Sequence, residues 1–213
     1  MRENVLNARG RPRSFDVEEA LDRALLVFWR KGYEGASLPD LTKAMGISRP
    51  SLYAAFGNKE SLFRKVLDRY TKGPAAYICK ALEAPTAREV VERIFRGTLE
   101  AQTCPKNPRG CLMVQGALSC GDSAEPVRNE LIARRKAGEK ALRARLQRAE
   151  SEGELPDDAD PAALARYVLT VVQGMSIQAA SGATRKDLQK VADMALRAWP
   201  TVRRSSVGGA RKR

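Results

Sequence analysis

Residues Ser37–Phe63, "SLPDLTKAMGISRPSLYAAFGNKESLF", decide the fold. Ser37, followed three positions later by Asp40, is a reciprocal cap for a short helix. Gly46 ends that helix, because glycine takes the left-handed turn without a Cβ penalty. Ser48 then caps a second short helix, and Pro50 is tolerated in its first turn, where the missing N–H has no helical partner. Within residues 48–56, Leu52 and Phe56 stand four apart and pack inward, leaving Arg49, Pro50, Ser51, Tyr53 and Ala54 outward. Two short helices joined by "MGIS" make a helix-turn-helix; in DNA-binding versions of that motif the second helix lies in the major groove while the first crosses the backbone. Arg49 can reach a guanine edge or a phosphate, and the Ser51 and Tyr53 hydroxyls suit phosphate oxygens. Lys59, in the first turn of the next helix, can join that helix's N-terminal amides around a phosphate. The same shape recurs in helical bundles that never touch DNA, so shape alone leaves both roles open.

Outward from this stretch, the period stays near 3.6 residues and strand-type alternation is sparse, which predicts an all-α chain of about nine helices. Val17, Leu21, Ala24, Leu25 and Phe28 share one face of a helix from about Asp16 to Lys31, with Asp16 and Glu19 as a capping box and Gly32 as the stop. Asn58 starts a fourth helix that Gly73-Pro74 breaks. Further helices are expected over Thr86–Gln102 and in "CLMVQGALSC", the latter up to Gly121-Asp122. A long basic one follows from Ala124 to about Gly153, with Val127, Leu131, Leu142 and Leu146 on one side. The last two run from Asp160-Pro161 to Gly182 and from Thr184 to Trp199. This pattern divides the chain into a basic arm (1–13), a helix-turn-helix domain (14–74, the motif itself 37–56), a second helical domain (75–200) and a basic tail (201–213).

With 213 residues, 43% hydrophobic and 30% charged, the chain is globular rather than disordered. The net charge of +13 is uneven. Residues 1–74 hold 14 basic against 9 acidic side chains, 75–200 hold 19 against 16, and 201–213 hold 5 against none. Such basic ends fit a polyanion, although solvated basic tails are also common. No histidine is present, which removes Ser-His and Cys-His catalysis and imidazole metal sites. The four cysteines form no CxxC pair and are expected as reduced thiols. No metal, no cofactor and no enzymatic activity are therefore expected. Residues Ala162–Ala183 are long enough to span a bilayer, but Arg166, Thr170, Gln173, Ser176, Gln178 and Ser181 make them too polar. "MRENVLNARGRPRSF" lacks the apolar run of a signal peptide, so the expected place is the cytoplasm, without membrane contact.

The run "FWRKGYEGASLPDLTKAMGISRPSLYAAFGNKESLF" resembles the DNA-binding domain of TetR/AcrR-type transcriptional regulators. It carries the family's aromatic-Gly-aromatic end to helix one, the Ser/Thr cap, the "G-[IV]-S" turn, "LY" with a following Phe, and "K-E-x-L". The resemblance is dense over about residues 14–74 and implies a helical homodimer on a palindromic double-stranded DNA operator, most often a repressor, released by a small ligand. Position by position, it makes Ser37, Ser48, Arg49, Pro50, Ser51, Tyr53 and Lys59 the DNA contacts. Ala54 and Ala55 depart from the common pattern, where many members carry Tyr and His, so two phosphate contacts are missing. The arm "ARGRPRSF" resembles an AT-hook core, and Arg9, Arg11 and Arg13 are candidates for minor-groove or phosphate contact.

The second half matches the family in helical layout, and "RGCLMVQGAL" and "GMSIQA" resemble one subgroup of regulators. By that resemblance, helices 160–180 and 184–199 form a four-helix dimer interface, in which Ala179, Ala180, Ala183, Ala192 and Ala195 permit close approach. The ligand pocket is expected among the preceding helices, lined by Tyr77, Phe95, Leu99, Cys111, Met113, Gln115, Tyr167 and Met175, each of which also fits plain core. Cys104, Cys111 and Cys120 raise an alternative for this half, a redox or electrophile sensor. Cys111 stands near Arg109 at a predicted helix start, and both features favour thiolate. Buried, inert thiols are the plainer expectation.

Overall fold

A computed structural model describes residues 15–116, 121 and 124–201. Among them stand ten helices: α1 (Val17–Gly35), α2 (Leu38–Met45), α3 (Arg49–Phe56), α4 (Lys59–Lys72), α5 (Ala76–Ala81), α6 (Ala87–Thr103), α7 (Leu112–Gln115), α8 (Glu125–Ser151), α9 (Pro161–Ala180) and α10 (Arg185–Arg197). No strand occurs among the described residues, and no helix there is long and apolar enough to cross a membrane. The fold is all-α, as the period predicts.

The caps explain where most elements begin. Ser37 with Asp40, and Thr184 with Asp187, form complete capping boxes. Ser48, Asn58, Thr86 and Asp160 each accept a backbone N–H at the start of α3, α4, α6 and α9. Asp16 caps α1 through Glu18 N–H and Glu19 N–H, but Glu19 directs its carboxylate to Arg23 (2.6 Å) instead of back to the cap. One expected arm of that box is therefore replaced by an i, i+4 ion pair. Gly32 stops the regular helix with φ 69°, and a last turn carries on to Gly35.

Two elements differ from expectation. The sequence pattern leaves out α5, because six residues without a side-chain cap give no periodic or capping signal. The helix expected over "CLMVQGALSC" shows four residues, Leu112–Gln115, with Gly116 behind them, and residues 117–120 lie outside the description.

Two buried clusters organise the chain. The first joins α1–α4 around Phe28, Leu41, Leu52, Phe56, Leu62 and Phe63. Phe28 meets Phe63 edge-on at 4.9 Å, and Trp29 meets Tyr70 at 4.8 Å, geometries in which the ring quadrupoles attract. This cluster also takes in Leu112, Val127 and Leu131 from α7 and α8, so the second half of the chain is packed into the first. The other cluster fills the space between α6, α8, α9 and α10, with Phe95, Leu142, Leu146, Val168, Met175, Leu188 and Trp199. Ala179, Ala192 and Ala195 lie inside this cluster, so their small side chains bring α9 and α10 close to their own chain's core rather than to a surface. Gly97 has a comparable use: a Cβ there would stand 2.3 Å from Tyr77 Cδ2, and the bare α-carbon lets that ring lie against α6.

Candidate nucleic-acid interface

The recognition helix α3 is held from behind by Leu52 and Phe56, both almost fully buried. Before it, the α2 end turns at Gly46 in the left-handed region (φ 69°, ψ 30°), which aims α3 across α2. Ser48, Arg49, Pro50, Tyr53 and Ala54 are exposed, Ser51 is half-buried, and Ala55 turns partly into the core.

The polar groups of this face are already ordered. Arg49 Nη2 donates to Tyr53 Oη at 3.3 Å, and its guanidinium carbon stands 5.7 Å from the Tyr53 ring centre. The pair sits i, i+4 on one face, so the tyrosine holds the arginine where a base edge or phosphate would meet both. Ser48 Oγ accepts the Ser51 N–H (3.2 Å) and pairs with the Ser51 hydroxyl (2.8 Å). Ser37 donates its one hydroxyl proton to Asp40 Oδ2 at 2.7 Å, which leaves it acceptor capacity only. Lys59 Nζ lies 4.5 Å from the centre of the Tyr33 ring.

Asp40, in the cap of α2, also receives Lys31 Nζ at 2.9 Å. The lysine, then the Ser37 hydroxyl and N–H, hold its carboxyl down to about 2. A depressed carboxylate stabilises the fold above its ordinary range and loses that contribution as pH falls towards 2, so this cap stays ionised at every physiological pH. Sequence reasoning missed Lys31 and Tyr33. Each stands near the end of α1 and meets a partner on another helix, Asp40 of α2 or Lys59 of α4, so no local spacing announces either contact. Arg9, Arg11 and Arg13 lie outside the described residues.

The candidate ligand residues do not converge on one place. Cys111 and Met113 line an apolar cavity of about 120 Å³ between α5, α6, α7, α8 and α9, together with Ile78, Leu82, Leu142, Leu169 and Val172. Arg134, Arg135 and Gln173 supply its polar edge. Tyr77 bonds to the Thr98 hydroxyl (3.1 Å), Gln115 folds back beside Gly110, and Met175 is core. Phe95 and Leu99 face a groove between α6 and α10, and Tyr167 is exposed on α9.

The environment of Cys111 favours the plainer expectation of an inert thiol over the thiolate alternative. Burial pushes its thiol up, against the lowering influence of Tyr70, the nearby backbone and Arg135. The first-turn amides of α7 at Met113 and Val114, and the Tyr70 hydroxyl that donates to Sγ at 3.3 Å, lower the thiol less than burial raises it. A neutral thiol follows. At pH 8 iodoacetamide is expected to label exposed Cys79 at least tenfold faster than Cys111, as read by peptide mass spectrometry; equal rates would restore the reactive thiolate. Cys104 is half-buried and Cys120 lies outside the described residues, among which no group of three or more acidic or cysteine side chains could hold a metal.

Comparisons with known proteins place the chain among relatives of one family. Residues 20–66 match the family model described as "Bacterial regulatory proteins, tetR family". Residues 85–198 match "Tetracyclin repressor-like, C-terminal domain". The chain is 37% identical over 201 residues to the HTH-type transcriptional repressor ComR of Escherichia coli K12, covering 92% of this chain and 94% of that one. It is 35% identical over 161 residues to the HTH-type regulator YezE of Bacillus subtilis 168, covering 75% and 83%. Among solved structures, a cysteine mutant of the TetR family regulator CifR, complexed with 26-base-pair operator DNA, superposes with a TM-score of 0.86 at 46% identity, covering 89% of this chain and all of that one. A TetR regulator from Chloroflexus aurantiacus shares the fold alone, with a TM-score of 0.74 at 19% identity over 84% of this chain and 91% of that one.

Proposed function

Since the chain belongs to the TetR family of bacterial transcriptional regulators, we propose that it is a repressor that binds a palindromic operator as a homodimer and is released by a small ligand. The observation that carries the DNA half is the Arg49–Tyr53 pair, exposed and ordered on a helix whose other face is buried. Arg49 reads a base edge or clamps a phosphate, Ser48, Pro50, Ser51 and Tyr53 form the contact surface around it, and Lys59 with the α4 N-terminus holds a phosphate. Ser37 accepts rather than donates, so its part is to cap α2. Arg9, Arg11 and Arg13 add minor-groove or phosphate contacts in place of the side chains that Ala54 and Ala55 lack.

Tyr167, Ile177, Val191 and Met194 are large apolar side chains exposed on α9 and α10, and they support dimerisation through these two helices. The cavity beside Cys111 supports a small, mainly apolar ligand with one polar or anionic group facing Arg135 and Gln173. Arg134, at the cavity edge, bonds Asp68 of α4 at 2.7 Å, so a ligand that draws on this arginine loosens a tie to the DNA-facing helices. The neutral Cys111 thiol favours reversible binding there over covalent sensing. The protein acts in the cytoplasm. Raising salt from 50 to 200 mM is expected to weaken binding to a duplex selected by the full chain by about 10³-fold or more, read by fluorescence anisotropy. A flat salt response would sink the phosphate-clamp reading and leave a module that works through other proteins.

A further inference from the structure

Gly32, at φ 69°, breaks the hydrogen-bond ladder of α1, and the N–H of Tyr33 turns to the Gly116 carbonyl at 2.9 Å. Two more bonds fix the same end of α1 to the same segment of chain. Trp29 Nε1 donates to the Gly110 carbonyl at 2.8 Å, in a buried position, and the Gly121 N–H donates to Glu34 Oε1 at 2.8 Å. Tyr33 is thus anchored by its backbone. Its ring is seated as well, stacked on Phe28 (6.3 Å between centres, 8° between planes) and edge-on to Phe63 at 5.2 Å. Lys59 Nζ meets the face of this seated ring at 4.5 Å.

A lysine ammonium on a four-carbon stem ordinarily loses considerable rotamer freedom when it grips a phosphate. An aromatic face that already holds the ammonium at the start of α4 removes part of that loss before DNA arrives. We propose that Tyr33 is the positioning residue for Lys59: its ring presets the ammonium for the phosphate, and the bond to Gly116 keeps the ring in place. This inference rests on Lys59 being a phosphate contact, and the experiment separates the two claims.

The test is a double-mutant cycle in the full chain, with Tyr33→Leu, Lys59→Ala and their combination, plus Tyr33→Phe. The probe is a fluorescein-labelled duplex enriched from a random library by the unmodified chain. Anisotropy titrations are run from 50 to 200 mM salt, well below each variant's melting temperature. Lys59→Ala is expected to weaken binding about tenfold and to lower the salt slope by about 1. Tyr33→Leu is expected to cost about threefold when Lys59 is present and almost nothing when it is absent, whereas Tyr33→Phe, which keeps the ring, stays near the unmodified affinity. An undiminished loss for Tyr33→Leu in the Lys59→Ala background makes Tyr33 merely structural and overturns the inference. A silent Lys59→Ala overturns the phosphate contact beneath it. If Tyr33→Leu does not fold, proton NMR of the unmodified chain decides: Lys59 methylene resonances shifted upfield by the ring current support the seat, and random-coil positions refute it.

Discussion

A chain carrying Arg49→Ala, Tyr53→Phe and Lys59→Ala together is expected to lose sequence-selective DNA binding, with affinity for its selected duplex down by roughly three orders of magnitude. Arg49 and Tyr53 are exposed and Lys59 is half-buried, so the substitutions remove contact groups rather than core. A base-directed arginine is worth about 1–3 kcal/mol of discrimination, and a lost phosphate contact adds a further, salt-dependent share. Tyr53→Phe keeps the ring and deletes the hydroxyl that accepts from Arg49, so its effect overlaps with Arg49→Ala and does not simply add. Arg49→Ala alone is expected to change base preference, whereas Lys59→Ala alone weakens all sequences alike. The melting temperature should move by a few degrees at most, because surface changes of this kind stay near ±0.5 kcal/mol each. Tight binding that survives all three changes would remove the recognition face from α3.

Arg145→Ala is expected to destabilise the fold by about 3 kcal/mol or more, without a direct effect on DNA contacts. The Arg145 side chain is 4% exposed and Glu154, at 3.8 Å, is its counter-charge. Nη2 donates to the carbonyls of Ala84 (3.1 Å) and Pro85 (3.0 Å), which ties α8 to the turn that leads into α6. Glu154 reaches the same turn by accepting the Ala87 N–H. Truncating the arginine strands two carbonyls and a partly buried carboxylate, and it opens a void beneath them. Nε and Nη1 find no acceptor among the described residues, so the guanidinium also carries a cost that an apolar side chain would not. Arg145→Met, which fills the space without the charge, is therefore expected to cost clearly less than Arg145→Ala in urea unfolding. Equal losses would mean that the clamp on the Ala84 and Pro85 carbonyls, not the filled volume, is what Arg145 contributes.

The helix-turn-helix was legible because its signals are local. Ser37 and Asp40, Gly46, Ser48 and Pro50 each mark a boundary within three or four residues, and Leu52 with Phe56 marks the buried side. What sequence could not show is what meets across distance. Tyr33 and Lys59 come from α1 and α4, Arg145 and Glu154 clamp a turn sixty residues earlier, and the Gly116 carbonyl accepts from Tyr33. The thiolate alternative at Cys111 is disfavoured for the same reason, and the plainer expectation of an inert thiol fits better. Arg109 and a helix start are neighbours in sequence, but the fold sets the half-buried Cys111 beside Tyr70, and desolvation outweighs the lowering influence of Tyr70, the nearby backbone and Arg135. Effector candidates chosen for residue type were scattered between a cavity, a groove and the core, since type alone does not say which side of a helix faces a void.

Selecting duplexes from a random library with the full chain, and sequencing what it retains, tests the central claim most directly. Two copies of α3 related by a two-fold axis predict an inverted repeat whose half-sites lie about one helical turn apart, with the pattern lost for the Arg49→Ala chain. A retained pool without dyad symmetry, or one no different from the input library, would contradict a homodimer that reads an operator through α3.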